Sequence, residues 1–116
     1  MFNVYTDGSG DGRYGYVVMS KDGLETIDTR VVQEEGLTNN LAEYKAVLLA
    51  VQTFPMEDLQ IYSDSQLVVN QLNHEWHIKS DPLRKLAMLI WDYCQGRKVE
   101  FIWVPRKENK AGKLLG

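Results

Sequence analysis

Leu59-Gln60-Ile61-Tyr62-Ser63-Asp64-Ser65-Gln66 decides how the rest of the chain is read. Leu59 and Ile61 alternate with Gln60 and Tyr62, the period-2 signature of a β-strand, and Ser65 can cap a helix over Leu67-Val68-Val69-Asn70-Gln71-Leu72. Asp64 is thereby placed at the C-terminal end of a strand, the edge where open α/β sheets bind ligands because the departing loops form a crevice. Phe2-Asn3-Val4-Tyr5-Thr6-Asp7-Gly8-Ser9 repeats the arrangement: Asp7 follows Tyr5 at the same spacing as Asp64 follows Tyr62. Each aspartate then shares a sheet face with a tyrosine. Alone, either acid would serve as an ordinary turn residue. A third element makes the pair informative.

Outward from these two strands, Tyr14 to Ser20 is rich in aromatic and β-branched residues and reads as a second strand. Asp22-Gly23 supplies the positive φ angles of a tight hairpin turn, so Leu24 to Gln33 returns antiparallel, with Ile27, Thr29 and Val31 on one face. From Leu41 the apolar positions Leu41, Tyr44, Leu48 and Val51 recur at helical spacing and predict a central helix ending near Phe54, before Pro55. Asp81-Pro82 opens a further helix with Leu83, Leu86, Leu89, Ile90 and Tyr93 on its apolar side, and Val99 to Val104 alternates as a fifth strand. Pro105 to Asn109 is a charged loop, and Lys110 to Gly116 is at most a short terminal helix. The order βββαβααβ(α) predicts an α/β fold: a five-stranded mixed sheet flanked by helices, in one domain over residues 1–116.

Composition agrees with a single soluble domain: 116 residues, 44% hydrophobic and 25% charged. No apolar run is long enough for a membrane span and no signal peptide is visible, so no membrane partner and a cytoplasmic location are expected. The single cysteine, Cys94, excludes an intramolecular disulfide and a multi-cysteine zinc site, and its apolar surroundings predict a buried thiol. The net charge of -3 conceals an asymmetry, because residues 1–76 carry 4 Lys and Arg against 12 Asp and Glu, whereas residues 77–116 carry 9 against 4. A basic C-terminal third suits a polyanionic partner, although solvated lysines explain the charge alone equally well.

The third element is Glu43, in Thr38-Asn39-Asn40-Leu41-Ala42-Glu43-Tyr44. With Asn40 as N-cap, Glu43 would occupy the third helical position and could serve the helix start. Yet this helix must pack on the sheet that ends in Asp7 and Asp64, so its first turns can bring Glu43 close to both. Three crowded carboxylates repel one another unless a divalent cation neutralises them, and hard oxygen ligands favour Mg²⁺ or Mn²⁺ over zinc.

Tyr5-Thr6-Asp7-Gly8-Ser9, Thr38 to Tyr44, Ser63-Asp64-Ser65-Gln66 and Trp103 to Ala111 together resemble type I ribonuclease H, over essentially the whole chain. The three acidic motifs, in this order and at these separations, carry the resemblance. It implies a ribonuclease H-like fold and hydrolysis of the RNA strand of an RNA/DNA hybrid. It further implies that Asp7, Glu43 and Asp64 are the catalytic metal ligands for Mg²⁺, with Mn²⁺ as a substitute. By the same resemblance Thr38, Asn39, Asn40 and Gln66 contact the hybrid. Two ions about 4 Å apart would activate water and stabilise the leaving 3′ oxygen in an in-line displacement. Recognition would rest on minor-groove shape and 2′-hydroxyls, and so be nearly independent of sequence. Arg106 and Lys107 are expected to face the substrate, and the protein is expected to be a monomer.

The chain departs from the family pattern at Asn109-Lys110-Ala111-Gly112, where Gly112 stands in place of a fourth aspartate. A second cation would then rely on Asp7, substrate oxygens, water and Glu108. The preceding loop offers Arg106 and Lys107 where many members carry a histidine, and the basic protrusion that some members insert between the middle helices is absent. Trp76 is expected to pack under a loop, although it lies where a substrate-channel aromatic could sit. Gly112 keeps an alternative in view: a non-catalytic nucleic-acid-binding domain that retained the fold. The intact acidic trio favours a weakened enzyme, because a chain freed from catalysis has little physical reason to keep mutually repelling acids.

Overall fold

The structure is a computed structural model of the chain, and it describes residues 1–115. Five strands run in the order β3-β2-β1-β4-β5: β1 is Phe2–Gly8, β2 Arg13–Met19, β3 Thr26–Gln33, β4 Leu59–Ser63 and β5 Val99–Trp103. The β1–β2 and β2–β3 pairs are antiparallel, whereas β1–β4 and β4–β5 are parallel. The mixed sheet is therefore as expected. Helices α1 (Asn39–Thr53), α2 (Gln66–Leu72) and α3 (Asp81–Cys94) join Val4, Tyr16, Val18 and Ile61 in one core. On the other side, Ala111 of α4 (Lys110–Leu115) packs with Val17, Met19 and Tyr5. The part of the terminal helix expected at Gly116 lies outside the described residues.

Alternation explains the strand that anchors the site. Leu59, Ile61 and Ser63 of β4 are buried while Gln60 and Tyr62 are half-buried, and Tyr62 stacks on Tyr5 of β1 at 4.6 Å and 16°. The two tyrosines are register partners across the parallel pair, so the repeated spacing places Asp7 and Asp64 at neighbouring strand ends. Helix α1 is buried nearly all round, with Ala42, Ala46 and Ala50 fully covered against sheet and α3. Small side chains there let the helix approach the sheet closely, and Ala is also the best helix former. The C-terminal carbonyls of α1 are met by Arg97, whose guanidinium donates to Val51 O, Phe54 O and Glu57 O, while its Nε donates to Tyr93 O of α3. A residue from the turn before β5 thus ties two helix ends together.

Several local expectations need correction. Thr38, not Asn40, caps α1: its Oγ1 accepts from Leu41 N at 3.2 Å, and the helix begins at Asn39. Glu43 is therefore the fifth helical residue, two positions beyond the reach of a capping box. The turn before β3 is wider than a two-residue hairpin, since Ser20 N donates to Glu25 O and only Gly23 has positive φ (74°). Asp22 Oδ1 accepts from Ser20 Oγ and Leu24 N, which stabilises the longer loop and delays the strand to Thr26. Leu89 and Tyr93 of α3 are exposed and its buried residues are Leu83, Ala87 and Ile90, because only one stripe of the helix reaches α1. Trp76 is exposed rather than packed under a loop, while His74, at φ 63°, stacks on Trp91 in its place. Strand β5 stops at Trp103, and Cys94 is half-buried, its thiol pushed up by burial.

Candidate active site

Asp7 is the penultimate residue of β1, opposite Gly15 of β2, and Asp64 follows the last residue of β4. Glu43 reaches them because α1 presses on the end of β1 at Gly8. A Cβ at that position would stand 2.4 Å from Ala42 C and 2.6 Å from Glu43 N, so glycine is required by contact with the helix backbone. The same approach lets Gly8 N donate to Glu43 Oε1 at 2.7 Å. One carboxylate oxygen from each of Asp7, Glu43 and Asp64 lies within 4.8 Å of the others.

Asp64 is held from behind by Asn109, a residue the sequence reading did not single out. Asn109 is buried; its Nδ2 donates to Asp64 Oδ2 (3.1 Å) and Thr6 O (2.9 Å), and its Oδ1 accepts from Ala111 N in the first turn of α4. The Asn-x-Ala spacing of Asn109 and Ala111 was the only signal that could have found it. Trp103 Nε1 donates to Asp64 O at 3.1 Å, fixing the backbone of the same residue.

The trio opens into a cleft of about 810 Å³. Of the other expected site residues, Asn39, Asn40, Arg106 and Lys107 line it, joined by Ser9, Ser65 and Lys113. Thr38 and Gln66 do not: Thr38 spends its hydroxyl acceptor on the α1 cap, and Gln66 lies exposed at the start of α2. Gly112 does line the cleft, and a Cβ there would stand 3.6 Å from Asp7 Oδ2 with no closer obstacle. Glu108 is exposed in the 3₁₀ turn Arg106–Glu108 and outside the cleft lining, so it does not replace the missing carboxylate.

Burial is the largest influence on the acids. It pushes Glu43 up to about 9, with a hydrogen bond to Asp7 and the charges of Asp7 and Asp64 acting in the same direction. Burial raises Asp7 as well; its hydrogen bond to Glu43 and the nearby Arg106 oppose this, while Asp64 adds to it. A proton on Glu43 thus relieves the repulsion at neutral pH, and a divalent cation would relieve it better. Octahedral Mg²⁺ with bonds of about 2.1 Å needs ligand oxygens roughly 3–4 Å apart, so the all-oxygen set fits after small side-chain adjustment.

A stability prediction follows directly. The folded pKa of Glu43 lies above its ordinary value of 4.5, so its favourable contribution is complete below that pH and is lost as pH rises through about 9. Asp7, raised likewise, acts with the same sign. Denaturant unfolding in EDTA should therefore show stability declining across that window, and Glu43→Gln should flatten the decline. An equally steep decline in the variant would show that Glu43 is not the buried acid responsible.

The profile of the RNase H family matches residues 1–112. Ribonuclease HI of Halobacterium salinarum is 33% identical over 127 aligned positions, covering 97% of this chain and 61% of that protein. Its RNase H1 crystal structure superposes with a TM-score of 0.87 at 29% identity, over 98% of this chain and 92% of the other. Bifunctional protein Rv2228c of Mycobacterium tuberculosis is 31% identical over 111 residues, which is 91% of this chain and 30% of that protein. The chain thus spans under a third of the length of that relative, and the N-terminal RNase H domain of Rv2228c, solved as a fusion with maltose-binding protein, superposes with a TM-score of 0.87 at 27% identity, covering 99% of this chain and 89% of that one. The structure of LC11-RNase H1 in complex with an RNA/DNA hybrid has the same fold, with a TM-score of 0.89 at 24% identity over 99% of this chain and 93% of the other. With the family profile spanning the strands and helices that carry Asp7, Glu43 and Asp64, this chain belongs to the RNase H family.

Proposed function

We propose that the protein hydrolyses the RNA strand of RNA/DNA hybrids, with Asp7, Glu43 and Asp64 holding divalent cations. The observation that carries this reading is the convergence of three carboxylates from β1, α1 and the end of β4 in a cleft edged by cationic side chains. When bound, Mg²⁺ or Mn²⁺ supplies activation of the attacking water and charge stabilisation at the leaving 3′ oxygen. The chain's own residues orient the rest. Asn109 fixes the rotamer of Asp64, and the Gly8 N–H fixes that of Glu43, so two of the three ligands are positioned before any ion arrives. Ser9, Asn39 and Asn40, which line the cleft, offer hydroxyl and amide groups to a phosphate backbone or minor-groove edge. Thr38 can still donate its O–H to a phosphate while accepting from Leu41 N, and Gln66 can reach the hybrid only from the rim.

Arg106, Lys107 and Lys113 supply the cationic side chains of the same cleft. Converting Arg106 and Lys107 together to Gln should weaken hybrid binding and make log K fall less steeply with log salt, by roughly one to two units of slope, because fewer counterions are released. An unaltered slope would place these charges away from the nucleic acid.

Gly112 favours one second reading, in which the domain binds hybrids without cutting them. Purified protein incubated with a labelled hybrid in Mg²⁺, in Mn²⁺ and in EDTA separates the two. Ion-dependent cleavage supports the hydrolase, whereas salt-sensitive binding with an intact RNA strand under every condition supports the binding domain.

A further inference from the structure

Strand β3 closes one edge of the sheet, with β2 on its inner side and no strand on its outer side among the described residues. Seven of its eight residues are exposed, it carries no Pro, and its two charges, Asp28 and Arg30, are of opposite sign, so they repel an approaching strand in some registers and attract it in another. Exposed Ile27 (64%) and Val31 (45%) flank the centre of this edge. The geometry points to a second copy of this chain as the occupant, paired antiparallel along β3 about a twofold axis at Thr29.

The register follows from symmetry and charge. A symmetric antiparallel pair keeps both sheets facing the same way only if a residue sits opposite its own copy, so the adjacent options are centred on Asp28, Thr29 or Arg30. Centring on residue 28 or residue 30 sets Asp28 against Asp28, or Arg30 against Arg30, of the second copy. Centring on Thr29 sets Asp28 opposite Arg30 twice over and Thr29 opposite itself. Unlike charges and β-branched pairs are the favourable cross-strand contacts, and like charges are the unfavourable ones. Asp28 is already oriented by Tyr16, whose OH donates to its Oδ2 at 3.1 Å, and Arg30 forms no ion pair among the described residues.

A register shift between β2 and β3, with Val18 opposite Asp28 but Met19 opposite Thr26, leaves Ile27 as the extra residue of a bulge, so the regular stretch of edge begins at Asp28 and the paired stretch is short. It falls below the ~1,200 Å² of a standard interface, which makes the dimer weak and concentration-dependent instead of the monomer the sequence suggested. Neither Asp28 nor Arg30 lines the carboxylate cleft, so the pairing leaves both sites open.

Sedimentation velocity from about 10 μM to 1 mM tests this, because a weak dimer with a dissociation constant of about 100 μM converts from monomer to dimer across that range. The parent chain should shift from monomer to dimer. Asp28→Arg and Arg30→Asp should each weaken the dimer at least tenfold, since each sets like charges opposite one another. An equimolar mixture of the two single variants should dimerise again, because the chain with two arginines then faces the chain with two aspartates. Hybrid cleavage by each variant should remain at the parent level, which also shows that it folds. A parent that stays monomeric throughout, or a mixture that fails to recover dimer, overturns the proposal.

Discussion

Asp64→Asn is expected to reduce hybrid cleavage by about 10³-fold or more, a loss of roughly 4 kcal/mol of transition-state stabilisation. The substitution is nearly isosteric, and its amide oxygen can still accept from Asn109, so the fold around the site is retained. What is lost is one of three negative charges that together attract a divalent cation. Asp7→Asn and Glu43→Gln should behave alike in activity, because oxygens of all three groups lie within 4.8 Å of one another. Metal-free stability should hold or rise in Asp7→Asn and Asp64→Asn, since one carboxylate of the crowded cluster becomes neutral, whereas Glu43→Gln should match the parent near neutral pH, where Glu43 already holds a proton, and exceed it as pH rises through about 9. Hybrid binding should persist, because Arg106, Lys107 and Lys113 are untouched. The decisive comparison is single-turnover cleavage beside binding in the same buffer. Parent-level turnover by Asp64→Asn would remove the carboxylate cluster from the mechanism.

Gly112→Asp should raise the rate in Mg²⁺ by about ten- to a hundredfold, equivalent to roughly 1.4–2.7 kcal/mol at the barrier. The position faces the site: a Cβ there lies 3.6 Å from Asp7 Oδ2, in ordinary contact and without backbone obstruction. A carboxylate on that Cβ would add a fourth charged oxygen donor beside Asp7, which Glu108, exposed and outside the cleft lining, does not supply. Mg²⁺ demands near-ideal octahedral geometry, whereas Mn²⁺ generally binds carboxylate and water ligands with less stringency, so the parent should be more active in Mn²⁺ and the gain from Asp should be smaller there. Any residue replacing Gly inside α4 also favours that helix by a few tenths of a kcal/mol, so Gly112→Asn is the necessary control. The Asn variant should gain helix stability without the rate. Equal rates for Asp, Asn and parent would show that the missing carboxylate does not limit this chain.

The positions of Asp7 and Asp64 were legible because strand alternation is local: Tyr5 and Tyr62 really are register partners, and each acid follows at the same interval. Glu43 was legible as a member of the trio but not in its local setting. Thr38 and Asn40 are both good caps, and the choice depends on where the incoming chain meets β1, which no short window reveals. Trp76 and Leu89 failed for a related reason, since the side of an apolar residue that is covered depends on a neighbour far along the chain.

By itself, the sequence determined the five strands, the central and third helices, the strand-end placement of two aspartates and the absence of a carboxylate at residue 112, because periodicity, turn residues and residue identity need no distant partner. Only the tertiary structure decided the rest. Gly8 is glycine because Ala42 and Glu43 press against it, Asn109 reaches across 103 residues to Thr6 while bracing Asp64, and Gly112 faces Asp7. These contacts join segments whose separation along the chain is arbitrary, so they leave no periodic trace, and it is packing that sets their distances.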